Sequence, residues 1–234
     1  SDEVRAFLHW LARARTRRPH SEELLVATAA PRPRDAAHAD ARLVVVSNRL
    51  PSAAEGGRAQ NVGGLVSGVA SALAHAHGVW LGWSGQKHDG ATRLALHVDG
   101  APVRASFDLR SDWHDLYYNG FSNRTLWPVL HGFVERARYR DAEWRAYVDV
   151  NQVFASQVAR LAVADATVWA HDYHLLLLAR ALRARGMTGR LGLFLHVPFP
   201  APECFETIPR AEELVLALLE YDVVGLHTRR YADN

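Results

Sequence analysis

The chain has 234 residues, is 49% hydrophobic and 22% charged, and carries a formal net charge of +2. That composition suits one large domain, or a domain with an appendage, with enough apolar side chain to bury a core. It excludes an overall electrostatic field that would recruit nucleic acid or an acidic membrane.

With Cys204 as the single cysteine, no disulfide can form within the chain, and a reducing, cytoplasmic setting is expected. No apolar run approaches the ~18 residues of a membrane span. The N-terminal stretch lacks the apolar core and small-residue cleavage site of a secretory signal. Neither a nucleic-acid nor a membrane partner is therefore expected, while monomer and homo-oligomer both stay open.

In chain order, residues 1–20 read as a basic amphipathic helix. Val4, Phe7, Leu8 and Leu11 recur at helical spacing, and Arg5, Arg13, Arg15, Arg17 and Arg18 supply the charge. Such a helix serves either as a lid, a partner-docking helix or a surface anchor, or as an appendage lying on its own domain. Residues 27–41 are rich in Pro and Ala without periodicity, which reads as a linker. The expected organisation is thus an N-terminal helix and linker over 1–41 and a main domain over 42–234.

The main domain opens with Leu43-Val44-Val45-Val46, a continuous apolar run followed by Ser47-Asn48-Arg49. Continuous hydrophobicity suits a strand buried on both faces, as in a parallel sheet. Residues 79–83, 94–98, 167–170, 191–195 and 223–226 are further strand candidates, and helical patterns cover 175–185 and 210–220. Strands alternating with helices imply an α/β, Rossmann-like, doubly wound and mainly parallel sheet.

In such a sheet, ligands bind outside the carboxyl ends of the strands. The residues that follow the strands here are polar: Ser47-Asn48-Arg49, Ser84-Gly85-Gln86, His171-Asp172-Tyr173-His174, His196 and His227. A second signal is Asn61-Val62-Gly63-Gly64, where paired glycines open a helix rich in small residues. It is either a tight turn or a cradle whose backbone N–H groups meet phosphate. The segment from Tyr117 to Pro128 packs aromatics, amides and Arg124 together, as a sugar-phosphate surface or as a packing cluster. The two imidazoles and the carboxylate at 171–174 do not make a convincing metal site at a strand-to-helix turn, and no Asp-x-Asp pair occurs. No metal or other cofactor is expected.

Taken together, RLVVVSNRLP (42–51), residues 61–68, VWLGWSG (79–85), YYNGFSNRTLWPVLH (117–131), YVDVNQVFA (147–155), VWAHDYHLL (168–176) and GLFLHVPFPAPECF (192–205) resemble the trehalose-6-phosphate synthase family. The pieces stand in family order and cover nearly everything after the linker.

The resemblance implies a GT-B glycosyltransferase whose N-terminal domain mostly holds glucose 6-phosphate and whose C-terminal domain holds UDP-glucose. By position, Arg49 matches the arginine at the acceptor phosphate. Tyr118 and Asp172 match other acceptor contacts, and Trp127 a residue lining the acceptor pocket. Gly63 and Gly64 match the loop beside the donor diphosphate, and His196 the catalytic histidine near the transferred glucose. The implied reaction gives trehalose 6-phosphate with retention. It runs by front-face attack, with the departing diphosphate taking the acceptor proton and no protein general base.

No counterpart of the family's donor half is present, so the expectation is an acceptor-side domain that is inactive alone. The alternatives are a sugar-phosphate-binding regulatory module, or a synthase using another phosphorylated acceptor such as glycerol 3-phosphate. The donor nucleotide, UDP as against GDP or ADP, is not written in these residues.

Overall fold

The computed structural model describes residues 40–50, 73, 78–98 and 102–234. The N-terminal helix, most of the linker and the glycines Gly63 and Gly64 lie outside the described residues.

Seven strands form one sheet: β1 (Ala41–Arg49), β2 (Val79–Lys87), β3 (Leu94–His97), β4 (Val103–Leu109), β5 (Ala162–His171), β6 (Leu191–Phe194) and β7 (Val223–Gly225). Their spatial order is β3-β4-β2-β1-β5-β6-β7. Every pairing is parallel except β3 with β4. The expected α/β sheet is therefore present. Its order runs outward in opposite directions from β1, so the topological switch point falls between β1 and β5.

Burial explains the strand residues. Val44, Val45 and Val46 are at most 1% exposed, and β-branched side chains fit a pleated surface covered on both faces. β4 departs from that pattern. Val103-Arg104-Ala105-Ser106-Phe107-Asp108-Leu109 alternates, with Ala105, Phe107 and Leu109 buried in the core. A search for continuous apolar runs does not find it.

Helix α1 (Asp141–Leu161) is the longest α-helix among the described residues and leads directly into β5. Asp141 and Glu143 stand in its first turn and Arg160 in its last, each sign suited to the helix dipole. Trp144, Tyr147, Val150, Phe154, Val158 and Leu161 make its buried face. Phe154 meets Phe107 of β4 edge-on, with ring centroids 4.8 Å apart. Burying such a ring is worth roughly 1.5–3 kcal/mol. Helices α2 (Leu178–Arg183) and α3 (Ala211–Leu218) take the two helical patterns read from the sequence, with tighter bounds.

Before α1, His114–Leu126 winds as a π-helix, and at its C-terminal end the Trp127 N–H reaches Ser122 O. That bond spans five residues instead of four. π-helices are rare and concentrate at functional sites. No helix among the described residues is long and apolar enough to cross a membrane.

Candidate functional site at the β1/β5 switch point

Outside the carboxyl ends of β1 and β5 lies a cavity of about 250 Å³ lined by Ser47, Asn48, Arg49, Trp80, Tyr118, His171, Asp172, His174 and His196. It stands where a doubly wound sheet places its ligand. Four residues singled out from the sequence meet here: Arg49 from the end of β1, Tyr118 from the π-helix, Asp172 after β5, and His196 after β6.

Arg49 is exposed, and its position is set by its neighbours. Its guanidinium carbon lies 5.7 Å from the Trp83 ring centroid, within range of a cation–π contact. A Cβ on Gly85, whose φ is +92°, would come within 2.8 Å of Arg49 Nη2 and 3.0 Å of Nε. The positive φ favours glycine there, and a Cβ would push the guanidinium from its place.

Asp172 has φ 74° and ψ 170°, a region that side chains other than glycine rarely enter, at a cost of order 1–3 kcal/mol. The turn holds because it is tied from several directions. Asp172 N–H donates to Phe194 O at 2.8 Å. Asp172 Oδ1 accepts from Tyr173 N–H at 3.0 Å and from His196 N–H at 3.2 Å. Both of those bonds end on Oδ1, which leaves Oδ2 with lone pairs for a hydroxyl. Burial raises the carboxyl's pKa, against the lowering effect of the two backbone N–H groups and of His131 and His227.

The next residues are fixed by hydroxyls and an amide. Tyr147 OH donates to Tyr173 O at 2.6 Å and accepts from Leu176 N–H at 3.1 Å. Asn151 Nδ2 donates to His174 O at 3.1 Å, and Tyr221 OH to Leu175 O at 2.7 Å. Tyr117 OH donates to Asn48 Oδ1 at 2.7 Å, which ties the π-helix to the end of β1.

Tyr118, the next residue, stacks on His174 with centroids 5.7 Å apart and planes 13° from parallel. Burial holds His174 neutral, with its pKa near 3, and neither of its ring nitrogens has a hydrogen-bond partner among the described residues. His171 is also lowered to about 3, by burial first and by His196 second. Its Nδ1 lies 3.0 Å from His196 Nε2.

Trp127 is not part of this lining. It is 39% exposed at the end of the π-helix, where its ring stacks on His131 at 4.0 Å. His131 in turn acts electrostatically on Asp172, so Trp127 stands one ring away from the cavity. No three His, Cys, Asp or Glu side chains converge as a metal site among the described residues.

The model for glycosyltransferase family 20 matches residues 41–234. The chain belongs to glycosyltransferase family 20. A trehalose-6-phosphate synthase from Klebsiella pneumoniae is 43% identical over 187 residues, covering 80% of this chain and 39% of the relative. The crystal structure of an alpha,alpha-trehalose-phosphate synthase (UDP-forming) from Burkholderia vietnamiensis aligns with a TM-score of 0.77 at 41% identity, over 84% of this chain and 42% of that one. A corresponding Burkholderia xenovorans enzyme in complex with glucose-6-phosphate aligns with a TM-score of 0.73 at 38% identity, over 82% of this chain and 41% of that one. The chain thus spans about two fifths of the length of these family 20 relatives.

Within this family 20 fold, the cavity also recruits residues beyond the matched set. Ser47, Asn48, His171 and His174 were visible as polar groups after strands. Trp80 was not, because an indole inside an apolar run reads as core. It is 5% exposed, and its Nε1–H donates to Ser47 Oγ at 2.9 Å, while Ser47 Oγ donates to Arg49 O at 2.9 Å.

Proposed function

We propose that residues 42–234 are the acceptor-side domain of a trehalose-6-phosphate synthase, transferring glucose from UDP-glucose to glucose 6-phosphate with retention. The observation that carries this reading is the convergence of Arg49, Tyr118, Asp172 and His196 on one cavity at the switch point. At about 250 Å³, it offers room for one sugar phosphate, below the ~300–1,000 Å³ of pockets that enclose larger ligands.

In this reading, Arg49 receives the acceptor phosphate on its fixed, permanently charged fork. Tyr118 and Asp172 hold sugar hydroxyls, and His196 stands by the transferred glucose. Trp127 borders the acceptor from beyond His131, and Gly63 and Gly64, outside the described residues, are assigned to the donor diphosphate. The acceptor hydroxyl forms its bond to the anomeric carbon on the face from which the diphosphate departs, and the leaving diphosphate oxygen takes the hydroxyl proton. We assign the site no metal or other cofactor, because the sequence holds no Asp-x-Asp pair to carry a divalent ion at the donor diphosphate. The single cysteine supports a cytoplasmic setting.

Calorimetry of the 234-residue chain with glucose 6-phosphate, glucose and inorganic phosphate tests the acceptor assignment. Glucose 6-phosphate binds more tightly than either fragment, and Arg49→Ala weakens it by on the order of 1.5–3 kcal/mol. Equal affinity in wild type and Arg49→Ala overturns the phosphate role.

A further inference from the structure

His171 and His196 meet in the wall of the cavity as a pair of imidazoles. Their planes lie 14° from parallel with centroids 5.3 Å apart, and Nδ1 of the first is 3.0 Å from Nε2 of the second. One of these nitrogens donates and the other accepts, and the surroundings of His171 decide which. His171 is 4% exposed, and its Nε2 is sealed from water without a hydrogen-bond partner among the described residues.

Burial keeps this ring neutral at physiological pH, its pKa lowered to about 3, so it carries one N–H. A proton on Nε2 would be a stranded buried donor, which folded proteins avoid more strongly than a bare lone pair. The proton therefore sits on Nδ1 and is donated to His196 Nε2. With Nε2 accepting, a neutral His196 carries its own proton on Nδ1. The backbone adds a second constraint, since His196 N–H is held by Asp172 Oδ1 at 3.2 Å.

We infer that His171 is a positioning residue: it locks His196 as the Nδ1–H tautomer, making it a hydrogen-bond donor toward the bound sugar and removing the lone pair that a general base needs. The role toward sugar rests on the functional reading above, whereas the tautomer stands on the imidazole pair alone. An Nδ1–H His196 cannot take the acceptor proton, which fits the proposed passage of that proton to the diphosphate oxygen as the bond from that oxygen to the anomeric carbon breaks.

Histidine 15N NMR of the full 234-residue chain at neutral pH tests the lock. In the wild type, His196 is expected to show a protonated Nδ1 and a pyridine-like Nε2. His171→Asn, whose amide nitrogen replaces the Nδ1 donor, retains that signature. His171→Phe, which keeps a ring and removes the donor, moves His196 toward the Nε2–H form. A wild-type His196 already protonated on Nε2 overturns the proposal, and so does a His171→Phe spectrum unchanged from wild type. If His171→Phe fails to fold, the wild-type and His171→Asn spectra decide. A chain that shows the lock but does not bind glucose 6-phosphate in calorimetry refutes the functional reading and leaves the tautomer assignment standing.

Discussion

At the centre of the sheet, Val44, Val45 and Val46 of β1 are at most 1% exposed; at the β3 edge, Leu96 is 38% exposed and Val98 just beyond the strand is 62% exposed. Both regions are β-structure, but only the first opens onto the cavity. The turn after β5 holds a non-glycine residue at φ 74°. Its successive carbonyls, those of Tyr173, His174 and Leu175, are bound by Tyr147, Asn151 and Tyr221. Strain of this kind persists only where surrounding contacts over-determine the backbone. The difference teaches that this site is precise because it is sunk into the best-packed part of the molecule, not mounted on a loop.

The largest effect expected from breaking that arrangement comes from Tyr147→Phe. It leaves the buried carbonyl of Tyr173 and N–H of Leu176 without their partner, and should cost about 3 kcal/mol in urea unfolding. Asp172→Asn sharpens the contrast between stability and function. It keeps Oδ1 as an acceptor for Tyr173 and His196 N–H while removing a carboxylate whose ionisation burial opposes. Stability near neutral pH should rise by about 1 kcal/mol, while affinity for glucose 6-phosphate falls about tenfold, roughly 1.4 kcal/mol.

Acid should act on the same region. His171 and His174 have folded-state pKa values near 3, depressed from 6.5. Their contribution to stability is therefore present above 6.5 and is lost as pH falls toward 3. The unfolded chain takes up protons that the folded chain refuses, at about 1 kcal/mol per histidine per pH unit. Asp172, with its pKa raised, has the opposite sign: its contribution is present below its unfolded value and fades as pH rises through the folded one. Two histidines against one carboxylate give a melting temperature that drops between pH 6.5 and 4, and His174→Phe should make that drop shallower. The smallest effect belongs to the β3 edge, where Leu96→Thr should change stability by no more than about 0.5 kcal/mol. A larger cost there would erase the distinction between centre and edge.

Much of the site was legible before the fold. Continuous apolar runs mark β1, β2, β5 and β6, and the polar residues read after β1, β5 and β6 meet at the switch point, whereas Ser84, Gly85 and Gln86 after β2 and His227 after β7 do not line the cavity. The resemblance assigned Arg49, Tyr118 and Asp172 to the acceptor and His196 to the transferred glucose, and all four line one cavity.

What escaped has physical reasons. β4 alternates, because the neighbouring strand β3 and its outer face are only partly covered. The apolar positions of α1 recur at spacings of three and four and were readable, but its face includes Glu143, Asn151 and Gln157, which dilute the pattern. Trp80 reaches the site through a hydrogen bond to Ser47, a role that an indole inside an apolar run does not announce. The π-helix is invisible because its identity lies in hydrogen-bond spacing and not in residue type.

That spacing constrains what the segment can tolerate. In an α-helix each residue advances by about 100° around the axis, and in the wider π-helix by less. Loss of one residue between Tyr118 and Leu126 would let the backbone fall back to the tighter winding and swing Tyr118 away from His174. A substitution in this stretch trims one contact, whereas a one-residue gap re-indexes every contact at once. The quantity under strictest control between Trp113 and Trp127 is therefore chain length.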